Sequence, residues 1–175
     1  MAVLRVGGTL AQLAAPEELL ARPVDDFVAD FVGRDRGYRT LGFRNAAFPT
    51  RAEPTIRLGA TEADARAATG DPWILVLDDQ DHPLGWVERE RLDGPVTREA
   101  LHRGGTVAPT DGSLRQALDA ALSAPSGRGV IVGPDGVFVG TVRARDLIEP
   151  IEASAGRQHV ATPEGVGVVS QSKAD

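Results

Sequence analysis

Short apolar runs and polar turns alternate through the second half of the chain, and they do so twice in the same order. ILVLDDQDHPLGWVERERL, from Ile74 to Leu92, aligns without gaps with GVIVGPDGVFVGTVRARDL, from Gly129 to Leu147. Gly85 then faces Gly140, Leu75 to Leu77 face Val130 to Val132, and Leu92 faces Leu147. Apolar runs of three to five residues, bounded by turns rich in Asp, Gly and Pro, predict buried strands joined as a hairpin. Each copy closes on a charged run that predicts a helix start. Ahead of the strands each copy has a Thr-bearing start and an Ala-rich stretch, Thr55 to Thr69 and Thr106 to Ser123. In the second stretch Leu114, Ala117, Leu118, Ala121 and Leu122 recur at spacings of three and four, which predicts an amphipathic helix capped by Asp111 or Ser113. The first copy is about one turn shorter there. Each unit therefore reads strand, helix, strand, strand, helix, and two units make a pseudo-symmetric pair rather than a solenoid.

The first fifth of the chain has a different pattern. Ala2 to Val6 and Thr9 to Leu13 flank Gly7-Gly8, a two-residue hairpin signal. Pro16, followed by Glu17 and Glu18, marks a helix start. The hairpin's apolar residues Val3, Leu4, Leu10 and Leu13 are expected to be exposed, mobile or docked against another copy, because a hairpin alone cannot bury them. Phe27, Val28, Phe31 and Val32 form an apolar helical stripe, expected to rest on the paired units, with Gly33 as its cap.

Composition narrows the function classes. The chain has 175 residues and a formal charge of -6, which argues against a general nucleic-acid binder. It has no Cys, so thiolate and disulfide chemistry are excluded. Its one Lys is Lys173, so the Gly-x-x-x-x-Gly-Lys-Ser/Thr loop that cradles nucleotide phosphates is absent and no nucleotide hydrolysis is expected. His82, His102 and His159 are too scattered for a metal cluster, and His82 reads as a solvated turn residue. Positive charge is concentrated between Arg34 and Arg57, where six Arg face only Asp35 and Glu53. That segment reads as a solvated connector or as a contact for an acidic surface such as anionic lipid. From Glu152 to Asp175 there is no Leu, Ile or aromatic residue, and disorder is the expectation.

A β-α-β-β-α unit ending in Gly-x-apolar-x-x-x-Asp, here Gly140, Val142 and Asp146, resembles the cystathionine-β-synthase-type (CBS) domain, and two in tandem resemble the CBS pair. The first copy departs from the pattern, with Glu88 and Arg91 at the positions of Arg143 and Asp146. The front hairpin and Pro-x-Glu helix resemble the end of an ABC-transporter ATPase domain. VDDFVADFVGRDRGYRTL, Val24 to Leu41, resembles the connector that precedes a CBS pair in the ATPase subunit of glycine betaine/proline-type osmoprotectant importers. The expected organisation is an α/β (α+β) chain: an ATPase remnant at 1–22, a connector helix and basic linker at 23–54, CBS units at 55–105 and 106–151, and a tail at 152–175. On this reading the chain begins inside a strand of a domain it does not contain.

The resemblance implies a regulatory module rather than an enzyme, with the ATPase activity in the parent subunit. It implies a cleft for an adenine nucleotide or cyclic di-AMP, with no required cofactor. Asp146 would accept from ribose hydroxyls, Arg143 and Arg145 would meet phosphate, and Gly129 and Val130 would present backbone to the base, with Thr110 in the same candidate set. A first-unit site at Glu88 and Arg91 is disfavoured, because Glu88 repels phosphate unless Arg91 neutralises it. Implied partners are a second copy (a homodimer), the ATPase domain and the permease subunits, at the cytoplasmic face of the membrane. Sensing of ionic strength, or a ligand-free dimerisation clamp, are the other readings.

Overall fold

The computed structural model describes residues 1–45, 47–68 and 71–156. The repeat is plain in its three-stranded sheets. In the first unit β3 (Thr55–Arg57) pairs in parallel with β4 (Trp73–Leu77), which pairs antiparallel with β5 (Pro83–Glu88). In the second, β6 (Val107–Pro109), β7 (Arg128–Val132) and β8 (Phe138–Arg143) have the same order and directions. Register agrees residue by residue: Val76 faces Gly85 and Ile131 faces Gly140, and each ladder shifts at the next residue.

The helices between the first two strands differ in length. α4 (Glu62–Ala67) has six residues and α5 (Leu114–Ser123) has ten, the one-turn difference read from the sequence. Both begin with a capping box, Thr61 with Asp64 and Ser113 with Gln116, so Ser113 rather than Asp111 is the cap. The buried stripe of α5 runs through Leu114, Ala117, Ala120 and Ala121, while Leu122 is exposed. The reason is Gly129, whose missing side chain lets β7 press against the backbone of Ala120 and Ala121; a Cβ there would lie 2.5 Å from the Ala121 nitrogen. The closing helices also differ from expectation. The first unit ends in a single 3₁₀ turn, Arg89–Arg91, whereas the second has a 3₁₀ turn, Ala144–Leu147, running into the helix α6 (Ile148–Gly156). Residues 152–156, expected in a disordered tail, thus lie in α6; residues 157–175 fall outside the described residues.

Alternation along the middle strands assigns each face. Ile74 and Val76 enter the first unit's core with Ile56, Ala65, Val87 and Leu92. Ile131 enters the second core with Leu114, Ala117, Val142 and Leu147. The opposite faces, Leu75, Leu77 and Trp86 from one unit and Val130 and Val132 from the other, form the apolar seam between units. Both faces of β4 and β7 are buried, which is why these strands read as continuous apolar runs.

The front of the chain builds its own small cluster. β1 (Ala2–Leu4) and β2 (Leu10–Leu13) form a hairpin, followed by α1 (Pro16–Ala21), α2 (Asp26–Val32), α3 (Arg36–Thr40) and a 3₁₀ turn at Leu41–Phe43. The turn is one residue longer than expected: Arg5 N–H donates to the Thr9 carbonyl, enclosing Val6, Gly7 and Gly8. Val3 is buried with Leu19, Leu20, Val28 and Val32, so the connector stripe packs on the hairpin and α1 rather than on the paired units. Leu4, Leu10, Leu13 and Phe31 remain exposed.

Candidate functional site

The two units are tied together by the segments that lead into them, and these segments cross. Arg51, ahead of the first unit, pairs with Thr141 on β8 of the second. His102, ahead of the second unit, pairs with Trp86 on β5 of the first. Both pairings use two backbone hydrogen bonds, of 2.9 Å at Arg51 and 3.1 and 2.7 Å at His102. Each exchange places one segment on the other unit's last strand, which is the signature of a pseudo-twofold axis. The paired glycines are explained by it. A Cβ on Gly85 would stand 2.9 Å from the His102 carbonyl oxygen, and one on Gly140 would stand 2.8 Å from that of Arg51. Only glycine lets the crossing backbones approach.

Around the Arg51 crossing lies the chain's main polar network. The Arg51 guanidinium grips Asp146 with two hydrogen bonds of 3.1 Å. That hydrogen bond and charge hold the Asp146 carboxyl below the usual carboxylate range. Two residues on, Glu53 accepts from the Thr141 hydroxyl at 3.0 Å and lies 3.1 Å from Nε of buried Arg128. Arg128 also donates to Asp71 and, at 2.7 Å, to the Trp73 carbonyl, and its guanidinium lies 5.0 Å from the centre of the Trp86 ring. Burial pushes the Glu53 carboxyl up, although Arg128 and the Thr141 hydrogen bond oppose this. The network therefore joins the connector, the first unit and the second unit at one place.

The candidate residues from the sequence do not gather around one cavity. Asp146 lines a cavity of 590 Å³ with Asn45, Pro49, Glu149 and Pro150. Arg145 lies 4.0 Å from Asp146, and the charge of Arg143 acts on Glu53. Val130 belongs to the apolar seam and touches a separate, small cavity of 80 Å³ beside Trp86 and Thr106. Gly129 faces α5, and Thr110 is exposed at the end of β6, where its N–H donates to the Val132 carbonyl. In the first unit Glu88 is paired with Arg91 at 2.8 Å, the neutralisation that the sequence reading required of it. Among the described residues no group of three His, Asp or Glu is placed to hold a metal.

Arg51, Glu53 and Arg128 were not singled out as site residues from the sequence. For Arg128 a signal was present: the gap-free repeat sets it opposite Trp73, a large strand residue. His82, read as a solvated turn residue, bridges the two hairpin turns, with Nδ1 3.3 Å from Asp78 and Nε2 3.2 Å from the Asp135 carbonyl. Asp81 supports the same junction by accepting at its carbonyl from Phe138 N–H, at 2.9 Å.

No family model matches the chain. It is similar, at 31% identity over 142 residues, to the osmoprotectant import ATP-binding protein OsmV of Salmonella typhimurium, a match that takes in 77% of this chain and 37% of that protein. The chain thus spans well under half the length of the curated relative it matches. Solved structures with similar folds include Staphylococcus aureus OpuCA, at 18% identity and TM-score 0.46, over 59% of this chain and 94% of that one. The CBS-pair protein CBSX2 from Arabidopsis thaliana has 16% identity and TM-score 0.45, over 66% of this chain and 95% of that one.

Proposed function

We propose that this tandem CBS pair, with its hairpin-helix module in front, is the regulatory part of the ATP-binding subunit of an osmoprotectant ABC importer. The similarity to OsmV extends over more residues than the two units contain, so it takes in sequence outside the pair. The observation that carries the regulatory reading is the Arg51 crossing. The connector from the front module is hydrogen-bonded to the last strand of the second unit and gripped by Asp146. A ligand that engages Asp146 meets Arg51, and any change there is passed to the connector. The input is an adenine nucleotide such as cyclic di-AMP, or ionic strength; Arg51 is an exposed partner, and screening over a Debye length of about 8–10 Å weakens such contacts. The parent subunit works as a homodimer through its CBS pairs, against permease subunits at the cytoplasmic membrane face. No described helix is long and apolar enough to cross a membrane.

Calorimetric titration of the chain with cyclic di-AMP, ATP and AMP tests the nucleotide input. We expect one of them to bind, and Asp146→Ala to weaken it about tenfold to hundredfold, the effect of losing a hydrogen bond to a charged group. A second reading, a ligand-free clamp, is favoured by one observation: the carboxylate at each unit's end is already satisfied, Asp146 by Arg51 and Glu88 by Arg91. Absence of binding by all three nucleotides, with Asp146→Ala loosening the connector in hydrogen exchange, would establish the clamp instead.

A further inference from the structure

A second concave surface lies away from the Asp146 cavity. It is a cleft of 870 Å³ between the front module and the connector, and it also touches α6. Its polar lining is Arg22, Arg34, Arg36 and Arg44 with Tyr38 and Thr40, over an apolar floor that includes Leu20, Leu41 and Ile151, and no carboxylate lines it. In a chain of net charge -6, carboxylates are plentiful, and many of the described arginines have taken one. Arg5, Arg51, Arg57, Arg66 and Arg91 each hold an Asp or Glu. Arg44 reaches Glu17 at 3.7 Å from the edge of the cleft. Arg34 and Arg36 make no ion pair with a described residue, and both face the cleft.

Like charges around one concavity repel, and the low-dielectric floor strengthens that repulsion. The arrangement is relieved by a multivalent anion. Guanidinium groups match phosphate oxygens in a planar, two-point fashion, and a phosphate group carries one negative charge when bridging or diesterified and about two when terminal. We propose that this cleft is a binding site for an anion carrying two or more phosphate groups or for a phosphate-bearing lipid headgroup, with Arg34 and Arg36 as its principal contacts. The site is separate from the candidate nucleotide cleft of the second unit and does not rest on the regulatory reading. Its position explains a use for it: α3 and the 3₁₀ turn carry the cleft wall on one side and pack with Leu41 into the second unit's core on the other.

The test uses inorganic tripolyphosphate by calorimetry, and flotation with phosphatidylglycerol or neutral phosphatidylcholine vesicles. Three double variants are compared: Arg34→Gln with Arg36→Gln, Arg66→Gln with Arg98→Gln at exposed positions elsewhere, and Arg143→Gln with Arg145→Gln at the second unit. All three remove the same charge. We expect the first to weaken binding about tenfold or more and the other two to leave it within about twofold, because a lost charge-assisted contact exceeds a diffuse charge effect. Arg34→Gln alone, at an exposed position, should act in the same direction and separates site loss from misfolding. Loss of tripolyphosphate binding identifies a soluble ligand class; selective loss of phosphatidylglycerol binding with no tripolyphosphate binding identifies a headgroup. Equal weakening in all three variants, loss only at Arg143 and Arg145, or no binding of either probe by the wild type would overturn the proposal.

Discussion

The two crossings are related by the pseudo-twofold axis, yet they are made of opposite materials. Where the connector meets the second unit, the contacts are ionic: Glu53 against Thr141 and Arg128, and Arg51 against Asp146. Where the inter-unit segment meets the first, they are aromatic: the His102 and Trp73 rings meet edge to face with centres 5.6 Å apart, beside buried Trp86. Trp73 and Trp86 occupy the positions of Arg128 and Thr141 in the repeat. The backbone frame is the same at both crossings, glycine for glycine, while the side chains around one are charged and those around the other are aromatic. An apolar crossing is adhesive but indifferent to its surroundings. A desolvated ionic one depends on every partner remaining in place, so a change at the connector, at Asp71 or at Thr141 is felt by the others. The ionic crossing is the one joined to the front module through the connector.

That contrast can be broken most directly at Arg128. Arg128→Met leaves the buried Glu53 without its cation and should destabilise the chain by about 3–5 kcal/mol, the usual result of removing one partner from a buried pair. At the equivalent position Trp73→Leu should cost less, about 0.5–3 kcal/mol, because it only trims a half-buried ring. Adding Glu53→Gln to Arg128→Met should recover part of the loss, since it removes the stranded charge. Urea unfolding of the wild type and the three variants checks this. If Trp73→Leu is the more damaging single change, the ionic crossing is not the stronger tie.

The hinge glycines sharpen the comparison, because there the crossings should behave alike. Either Ala substitution drives a Cβ against a carbonyl oxygen of the crossing segment, and overpacking of this kind costs about 1–3 kcal/mol. Gly85 carries a further burden: its φ is +146°, whereas Gly140 is not among the glycines of positive φ. Strained backbone adds about 1–3 kcal/mol. Gly85→Ala should therefore lower the melting temperature more than Gly140→Ala, and both should speed amide exchange at the bridging partner, His102 or Arg51. Equal melting temperatures would mean that close approach alone governs both.

Much of this frame was legible beforehand. Strand runs, the shared glycines, the shorter helix of the first copy and the Ser113 start of the second copy's helix are local features, and local features leave periodic or positional marks in a sequence. The crossings left only those glycines as a mark. Each joins one residue outside the strands, Arg51 or His102, to the other unit's last strand, and nothing in the neighbourhood of either alternates. Arg128 had one mark, its place opposite Trp73 in the repeat, but its burial was hidden: an Arg at a strand start normally marks the solvent edge, and partners distant in sequence, Glu53 and Asp71, make its burial tolerable. Glu53 itself looked like a stray counter-charge within a basic segment. The ligand set inferred for the second unit came from resemblance, so it carried no information about Arg51, which occupies Asp146 in this chain.

The smallest expected effect isolates the ionic crossing by pH. Burial raises the Glu53 carboxyl above its ordinary 4.5, against the pull of Arg128 and the Thr141 hydroxyl, with Asp71 raising it further and Arg143 lowering it. A raised folded value means that the native chain binds more protons than the unfolded chain between the two values. Stability must then fall as pH rises from about 4.5 through the folded value, and the contribution is fully lost above it. Asp146, Asp78 and Asp64 act in the opposite sense. Their values are lowered, by Arg51, by the His82 backbone N–H and by Thr61 respectively, so their stabilisation is present above 3.8 and is lost on acidification below it. The two windows do not overlap. Measured between pH 4.5 and 7, the wild type should lose stability relative to Glu53→Gln as pH rises, and the difference should level off once Glu53 is ionised in both states. At the aromatic crossing a His102→Gln variant provides the reference, because it leaves Glu53 untouched and should keep this slope. Parallel profiles for wild type and Glu53→Gln would show that water reaches Glu53, and that the crossing is held by hydrogen bonds rather than by a desolvated charge.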